Sequence, residues 1–300
     1  MIFSKKYILL FLLFSSTCLS DMFNISLEND FLYGHDRYYT HGTRFLYIKY
    51  GSYKWFEDLN DDKRCQSGYS LAQYMYTPSD ISIKELLPDD RPYGGWLYIG
   101  QSLIASDESH MSFWELDAGV VGPSSRSDET QMWVHKILGS KKPMGWKNQI
   151  KDEFGCNLIY QSKNKIDGDK YDIISNCGGC IGNVHTYFNI GSFLRLGYNI
   201  PDDFGLYHME PTTRKNDKFY SYVFFSTDAK YVVRNIFLDG NSFKDSHSVE
   251  KRDMVFSLSS GVCIYLFGNE IIYMYNYKTE EFYGQMHDSE FGSIYLTRYF

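Results

Sequence analysis

The chain has 300 residues, a formal net charge of −7 and an aromatic content of 18%, with 27 Tyr and 22 Phe. The acidic balance removes any electrostatic reason to bind nucleic acid. Past the first turns of the chain no stretch approaches the ~18 consecutive apolar residues that a membrane-spanning helix requires. So many aromatic residues exceed the needs of one globular core, whereas a β-barrel places them in belts at both membrane interfaces.

The amino terminus reads as an export signal over residues 1–20: two lysines after Met1-Ile-Phe-Ser, an apolar run from Tyr7 to Phe14, then small and polar residues up to Ser20. Residues 21–300 are expected to form one barrel domain. From Phe23 to Phe31 the odd positions are Phe23, Ile25, Leu27, Asn29 and Phe31, opposed by Asn24, Ser26, Glu28 and Asp30. The same period of two recurs at Trp114, Leu116, Ala118 and Val120 against Glu115 and Asp117, and at Leu194, Leu196 and Tyr198 against Arg195, Gly197 and Asn199. It recurs again at Met254, Phe256, Leu258, Val262, Ile264 and Leu266 against Val255, Ser257, Ser259, Gly261, Cys263 and Tyr265. One face of each run suits lipid and the other a polar interior. Roughly ten to twelve such runs occur, at spans suited to tilted membrane strands. The last, Ile294 to Phe300, ends on the aromatic residue common in outer-membrane barrels.

One segment departs from this period. Asp128 to Leu138 has acids in its first turn, helix formers inside and Gly139 just past its end, which predicts a short helix in an extracellular loop. Gln131 and His135 then share a face. Past the signal, Cys65, Cys156, Cys177, Cys180 and Cys263 form an odd set. Cys177-Gly-Gly-Cys180 reads as a short-loop disulfide or two idle thiols, because no second ligand pair follows at zinc spacing.

Three clusters carry chemistry: Glu28-Asn29-Asp30-Phe31 followed by Asp36-Arg-Tyr-Tyr-Thr40-His-Gly42; Tyr76-Thr-Pro-Ser79 with Asp90-Arg-Pro-Tyr-Gly-Gly-Trp96; and Gly119-Val-Val-Gly-Pro-Ser124 with Gln131, His135, Gly139, Gly145-Trp146 and Gln149. In this order, and most densely from Glu28 to Glu153, they resemble the lipid A 3′-O-deacylase family, the LpxR-type enzymes of the Gram-negative outer membrane. That resemblance implies an all-β fold, an antiparallel transmembrane β-barrel of about twelve strands. It also implies Ca2+-dependent hydrolysis of the acyloxyacyl ester at the 3′ position of lipid A. The essential Asn-Asp pair of the family falls on Asn29 and Asp30, its Thr on Thr40 and its catalytic His on His135. Its active-site Lys has Lys84 as the nearest candidate here. An acid that some members carry shortly after the His helix is replaced by Lys141 or Lys142.

The residues themselves are compatible with that chemistry. Asn29 and Asp30 offer the amide and carboxylate oxygens that a hard Ca2+ ion prefers, and an imidazole such as His135 can deprotonate water near neutral pH. No Gly-x-Ser-x-Gly elbow marks a serine nucleophile. Arg91 could meet a lipid phosphate, although Asp90 to Trp96 is better read as a structural turn with Trp96 starting a strand at the interface. Asn-Asp is also a common turn pair, and a lone helical His is usually an ordinary one. The expected partners are lipid A, lipopolysaccharide and other outer-membrane lipids, with the chain acting as a monomer. The alternatives are an outer-membrane phospholipase, which needs a serine beside its His, and a porin-like barrel without catalysis.

Overall fold

The structure, a computed structural model, describes residues 21–30, 37–205 and 218–300. The expected signal at 1–20, together with Phe31 and Asp36 of the first cluster, lies outside the described residues. Twelve strands are described: β1 Met22–Asn29, β2 Tyr38–Tyr50, β3 Arg64–Thr77, β4 Gly94–Ser106, β5 His110–Val121 and β6 Glu153–Asp167. They continue as β7 Tyr171–Gly182, β8 His185–Tyr198, β9 Tyr220–Asn235, β10 Met254–Leu266, β11 Asn269–Lys278 and β12 Ser289–Tyr299. Three short α-helices interrupt them, α1 Lys54–Asp58, α2 Ser127–Leu138 and α3 Ile236–Asp239. Each strand runs antiparallel to its chain neighbours, and β1 pairs with β12 from Met22↔Tyr299 to Asn29↔Gly292, so the sheet closes. Phe300 extends this seam: its N–H donates to the Asp21 carbonyl at 3.0 Å.

Alternation sets the two faces. Leu258, Val262 and Ile264 are exposed on the outside, while Cys263 and Tyr265 are buried inside. Trp114 and Leu116 point out and Glu115 and Asp117 point in, as the period of two predicts. Trp96 differs from expectation. Gly94 and Gly95 begin β4, Gly95 takes the outward position, and Trp96 turns into the lumen, where it stacks on Tyr98 with ring centroids 4.2 Å apart. Cys177 and Cys180 also fall on opposite faces of β7, three residues apart, so both are free thiols and not a disulfide.

The lumen is filled at the end holding Asp21 and Phe300. Phe193, Phe204, Tyr220, Tyr222, Phe224 and Tyr265 pack there in one buried cluster. Arg195 sits among them between the carboxylates of Asp172, at 2.5 Å, and Asp203, at 2.6 Å, because a buried guanidinium needs its charge compensated. Above this plug lies a polar chamber of about 320 Å³ lined by Glu28, Arg44, Glu115, Asp117, Asn157 and Lys230 among others. At the far end α3 leans inward: Phe237 stacks on Tyr76 at 4.2 Å, and Leu238 packs with Tyr38 and Phe282. A lumen filled by side chains at one end is no diffusion path. Single-channel recordings in planar bilayers should therefore show no steady current of porin size, and a persistent open-channel conductance would contradict the plug.

Candidate active site

The predicted site residues all lie at the barrel end opposite Asp21 and Phe300, where β1, β3, β5, β7, β9 and β11 finish. Asn29 is the last residue of β1, pairs across to His41 of β2 and keeps the outward parity of Leu27. Its side-chain amide donates to the carbonyl of Thr40 at 3.1 Å. Asp30, the next residue, is buried, and its carboxylate accepts the Arg37 N–H at 2.6 Å.

Thr40 owes its position to a fault in the ladder. The β2–β3 register shifts between Tyr39 and His41, so that Tyr39 and Gly42 both turn to the lumen and Thr40 and His41 are left between them. Inside, the Tyr39 hydroxyl donates to Glu28. On the other side the hydroxyl of Thr40 meets that of Thr77 at 2.6 Å, and Thr77 has the outward parity of β3. A bulge of this kind re-aims one side chain without breaking the sheet. Asn29, Thr40 and Thr77 thus form a hydrogen-bonded row on the outer side of the rim.

The helix α2 belongs to the β5–β6 connection and lies on the outside of the barrel against β3 and β4. Its start is fixed by two contacts. Gln73, outward on β3, donates to the Ser125 carbonyl at 2.7 Å. Ser125 and Ser127 also sit directly over Gly95, where an added Cβ would come within 2.3 and 2.1 Å of their hydroxyl oxygens. Only glycine lets the helix approach the wall this closely. Asp128 and Glu129 occupy the first turn, and Gly139 caps the end in the left-handed region with its N–H on the His135 carbonyl.

The buried positions of α2 are Ser127, Gln131 and His135, a stripe at four-residue spacing that faces the wall. Gln131 accepts the indole N–H of Trp146 at 2.6 Å, and Trp146 packs against Tyr93 at 4.9 Å. His135 Nδ1 lies 2.5 Å from the Lys141 carbonyl. A carbonyl only accepts, so Nδ1 carries the proton and the neutral ring has its basic lone pair on Nε2. The backbone of Lys141 thereby orients the imidazole at a point where the sequence shows lysines and no acid.

Lys84 and Arg91 stand apart from this row. The Lys84 side chain is exposed, and its carbonyl accepts from Asn148 at 2.9 Å, tying the β3–β4 connection to the segment after α2. Arg91 is fully buried with its guanidinium 4.7 Å over the Tyr76 ring and 3.0 Å from Glu281. Lys278 reaches the same carboxylate at 3.1 Å. Sequence reasoning missed this pair because Arg91 and Glu281 are 190 residues apart.

Asn29, Asp30 and Thr40 together supply amide, carboxylate, hydroxyl and carbonyl oxygens, the donor types of a hard cation. Among the described residues no group of three or more His, Cys, Asp or Glu side chains is placed to hold a metal.

Burial alone would push the Glu281 carboxyl up, but Lys278 and Arg91 outweigh it and hold the group down at about 2. A depressed carboxyl stabilises the fold above its unfolded value, and that contribution fades as pH falls through the folded value. Arg91→Ala should thus weaken the rim by about 3–5 kcal/mol at neutral pH, since it strands a buried carboxylate. Glu281→Gln should differ from wild type at pH 7 and converge with it near the folded value of about 2, read from unfolding midpoints by heat-modified gel mobility. A difference between the two that does not shrink on acidification would refute the pairing.

A family profile described as outer membrane protein LpxR matches residues 7–300. Among solved structures, LpxR from Salmonella typhimurium superposes with a TM-score of 0.78 at 22% identity, covering 93% of this chain and 100% of that one. The β domain of the Bordetella autotransporter BrkA reaches a TM-score of 0.44 at 10% identity, covering 94% of this chain and 98% of that one. The NalP translocator domain from Neisseria meningitidis reaches 0.42 at 6% identity, covering 94% and 88%. No curated protein sequence matches. With its whole barrel inside the matched span, the chain belongs to the outer membrane protein LpxR family.

Proposed function

We propose that the protein is a calcium-dependent hydrolase that removes the 3′-linked acyloxyacyl group of lipid A in the outer leaflet. The observation that carries this reading is the outward placement of the polar row and the wall-facing stripe that ends at His135. A diffusible substrate suits a lumenal site. Here the lumen is plugged at one end, while Asn29, Thr40, Thr77 and α2 lie on the outer side of the wall.

The distances are compatible. Ser127 sits over β4, and β2 lies two strands away, ~10 Å at the usual strand spacing. From Ser127 to His135 the helix rises ~12 Å. On this reading α2, which begins on β4 and also touches β3, runs towards the rim of β2 and β1, where Thr40 and Asn29 stand.

His135 would take a proton from water through Nε2, with Nδ1 held on the Lys141 carbonyl so that the developing imidazolium stays oriented. The water attacks the ester carbonyl carbon, and the proton passes to the departing 3′ oxygen as the tetrahedral intermediate collapses. The Thr40 hydroxyl, held by Thr77, positions the water or the ester. Calcium, when bound by Asn29 and Asp30, supplies positive charge beside the oxyanion. Lys84, exposed on the β3–β4 connection, would meet an anionic headgroup. Arg91 we assign to holding the rim and not to binding substrate directly, because its charge is answered by Glu281.

Replacing His135 by Ala should leave heat-modifiable mobility intact and slow release of the 3′ acyl groups by about 10²–10⁴-fold, the usual contribution of a general base. The readout is the lipid A mass spectrum of expressing cells. Chelation should silence the wild type, and added calcium should restore it. Unchanged deacylation in the variant would sink the assignment.

A further inference from the structure

We infer that one flank of α2, carrying Trp133 and Ile137, is seated in the headgroup region of a phosphate-bearing lipid leaflet. The seating of the helix does not rest on the function proposed above.

At about 100° per residue α2 presents three faces. Ser127, Gln131 and His135 are buried against the wall. Glu129 and Lys136 share an exposed charged flank, where Glu129 pairs with Arg126 at 2.6 Å. The remaining flank holds Trp133 and Ile137 one turn apart, 64% and 62% exposed. Leu138 at the end of the helix, and Met144 and Leu86 on the connections around it, are exposed as well. A helix in open water has no reason to present such a face, and a contiguous apolar patch marks an interface.

Two observations identify the occupant. The first is continuity with the lipid-facing belt. The first turn of α2 rests on Gly95, the second residue of β4. On the same wall Ile99 of β4 and Leu71 of β3 are exposed outward further along their strands, and Phe154, second in β6, is exposed outward where the chain re-enters the barrel after the helix. An amphipathic aromatic at this level is the usual anchor of a barrel at its interface. The second is charge. From Thr130 to Lys151 the chain has five lysines, Lys136, Lys141, Lys142, Lys147 and Lys151, and no Asp or Glu. All five are exposed. Apolar side chains flanked by a lysine-rich segment match an anionic headgroup layer over acyl chains.

The test uses the full barrel reconstituted in phosphatidylcholine vesicles with or without phosphatidylglycerol, and phosphatidylcholines brominated at shallow or deep chain positions as quenchers. The protein has five Trp, so the difference between wild type and Trp133→Phe isolates the emission of Trp133. That emission should be quenched several-fold more by shallow bromine than by deep bromine, and spared by acrylamide. Lys141→Glu with Lys142→Glu should reduce the shallow quenching in anionic vesicles and leave it unchanged in neutral ones. Quenching by acrylamide with none by bromine would place the flank in water and overturn the inference. Shielding from both would signal a second copy of the chain and overturn it equally. A charge variant indistinguishable from wild type in anionic vesicles would remove the lysines from the account. None of these readings uses hydrolysis: strong bromine quenching together with an active His135→Ala variant would refute the proposed function and leave the seating intact.

Discussion

Closure of β1 on β12 is the constraint from which the rest follows. A sheet without edges satisfies every backbone ladder internally, as a lipid environment demands, and it leaves each side chain only two directions. Those facing out must suit lipid, and those facing in must fill or line the lumen. The inward set here does both: aromatic rings and the Arg195–Asp172–Asp203 cluster block one half, and a polar chamber occupies the other. With the lumen plugged at one end, the function proposed above would set its chemistry on the outside.

Two local devices would serve that placement. The bulge in β2 breaks the inside–outside alternation at one point and frees Thr40 to join Thr77 on the outer side. The glycine at 95 then lets α2 lie flat on the wall, with Ser125 and Ser127 filling the space that a Cβ would take. The loops behind the helix are tied in by Gln131 to Trp146 and by His135 to Lys141. Rigidity in this layer matters because a site only slightly too loose loses most of its effect. The buried Arg91–Glu281 contact serves the same end by joining two loops that meet only across the barrel mouth.

Much of this was legible in the residues and some was not. The period of two assigned the faces of β1, β5, β8 and β10, and the acids and Gly139 bounded α2 to within one residue of its observed start. Trp96 was misplaced because alternation needs a reference point, and the outward residue at that height is a glycine with no side chain to announce its face. The approach of Thr40 to Thr77 depends on a register shift between strands, which local sequence does not encode. The partner of the His135 ring is a backbone carbonyl, invisible to any search for an acid. Of the two readings of Cys177 and Cys180, a short-loop disulfide or two idle thiols, strand geometry selects the second, because their odd spacing sends them to opposite faces.

The central claim is that the ester is held outside the wall, between α2 and the row of Asn29, Thr40 and Thr77. A structure of the His135→Ala protein with intact lipid A tests it most directly. The account predicts the 3′ ester lying in the cleft under α2, with its acyl chains along the outer surface of β2 and β3. Substrate density inside the chamber lined by Glu28, Arg44 and Glu115 would contradict it.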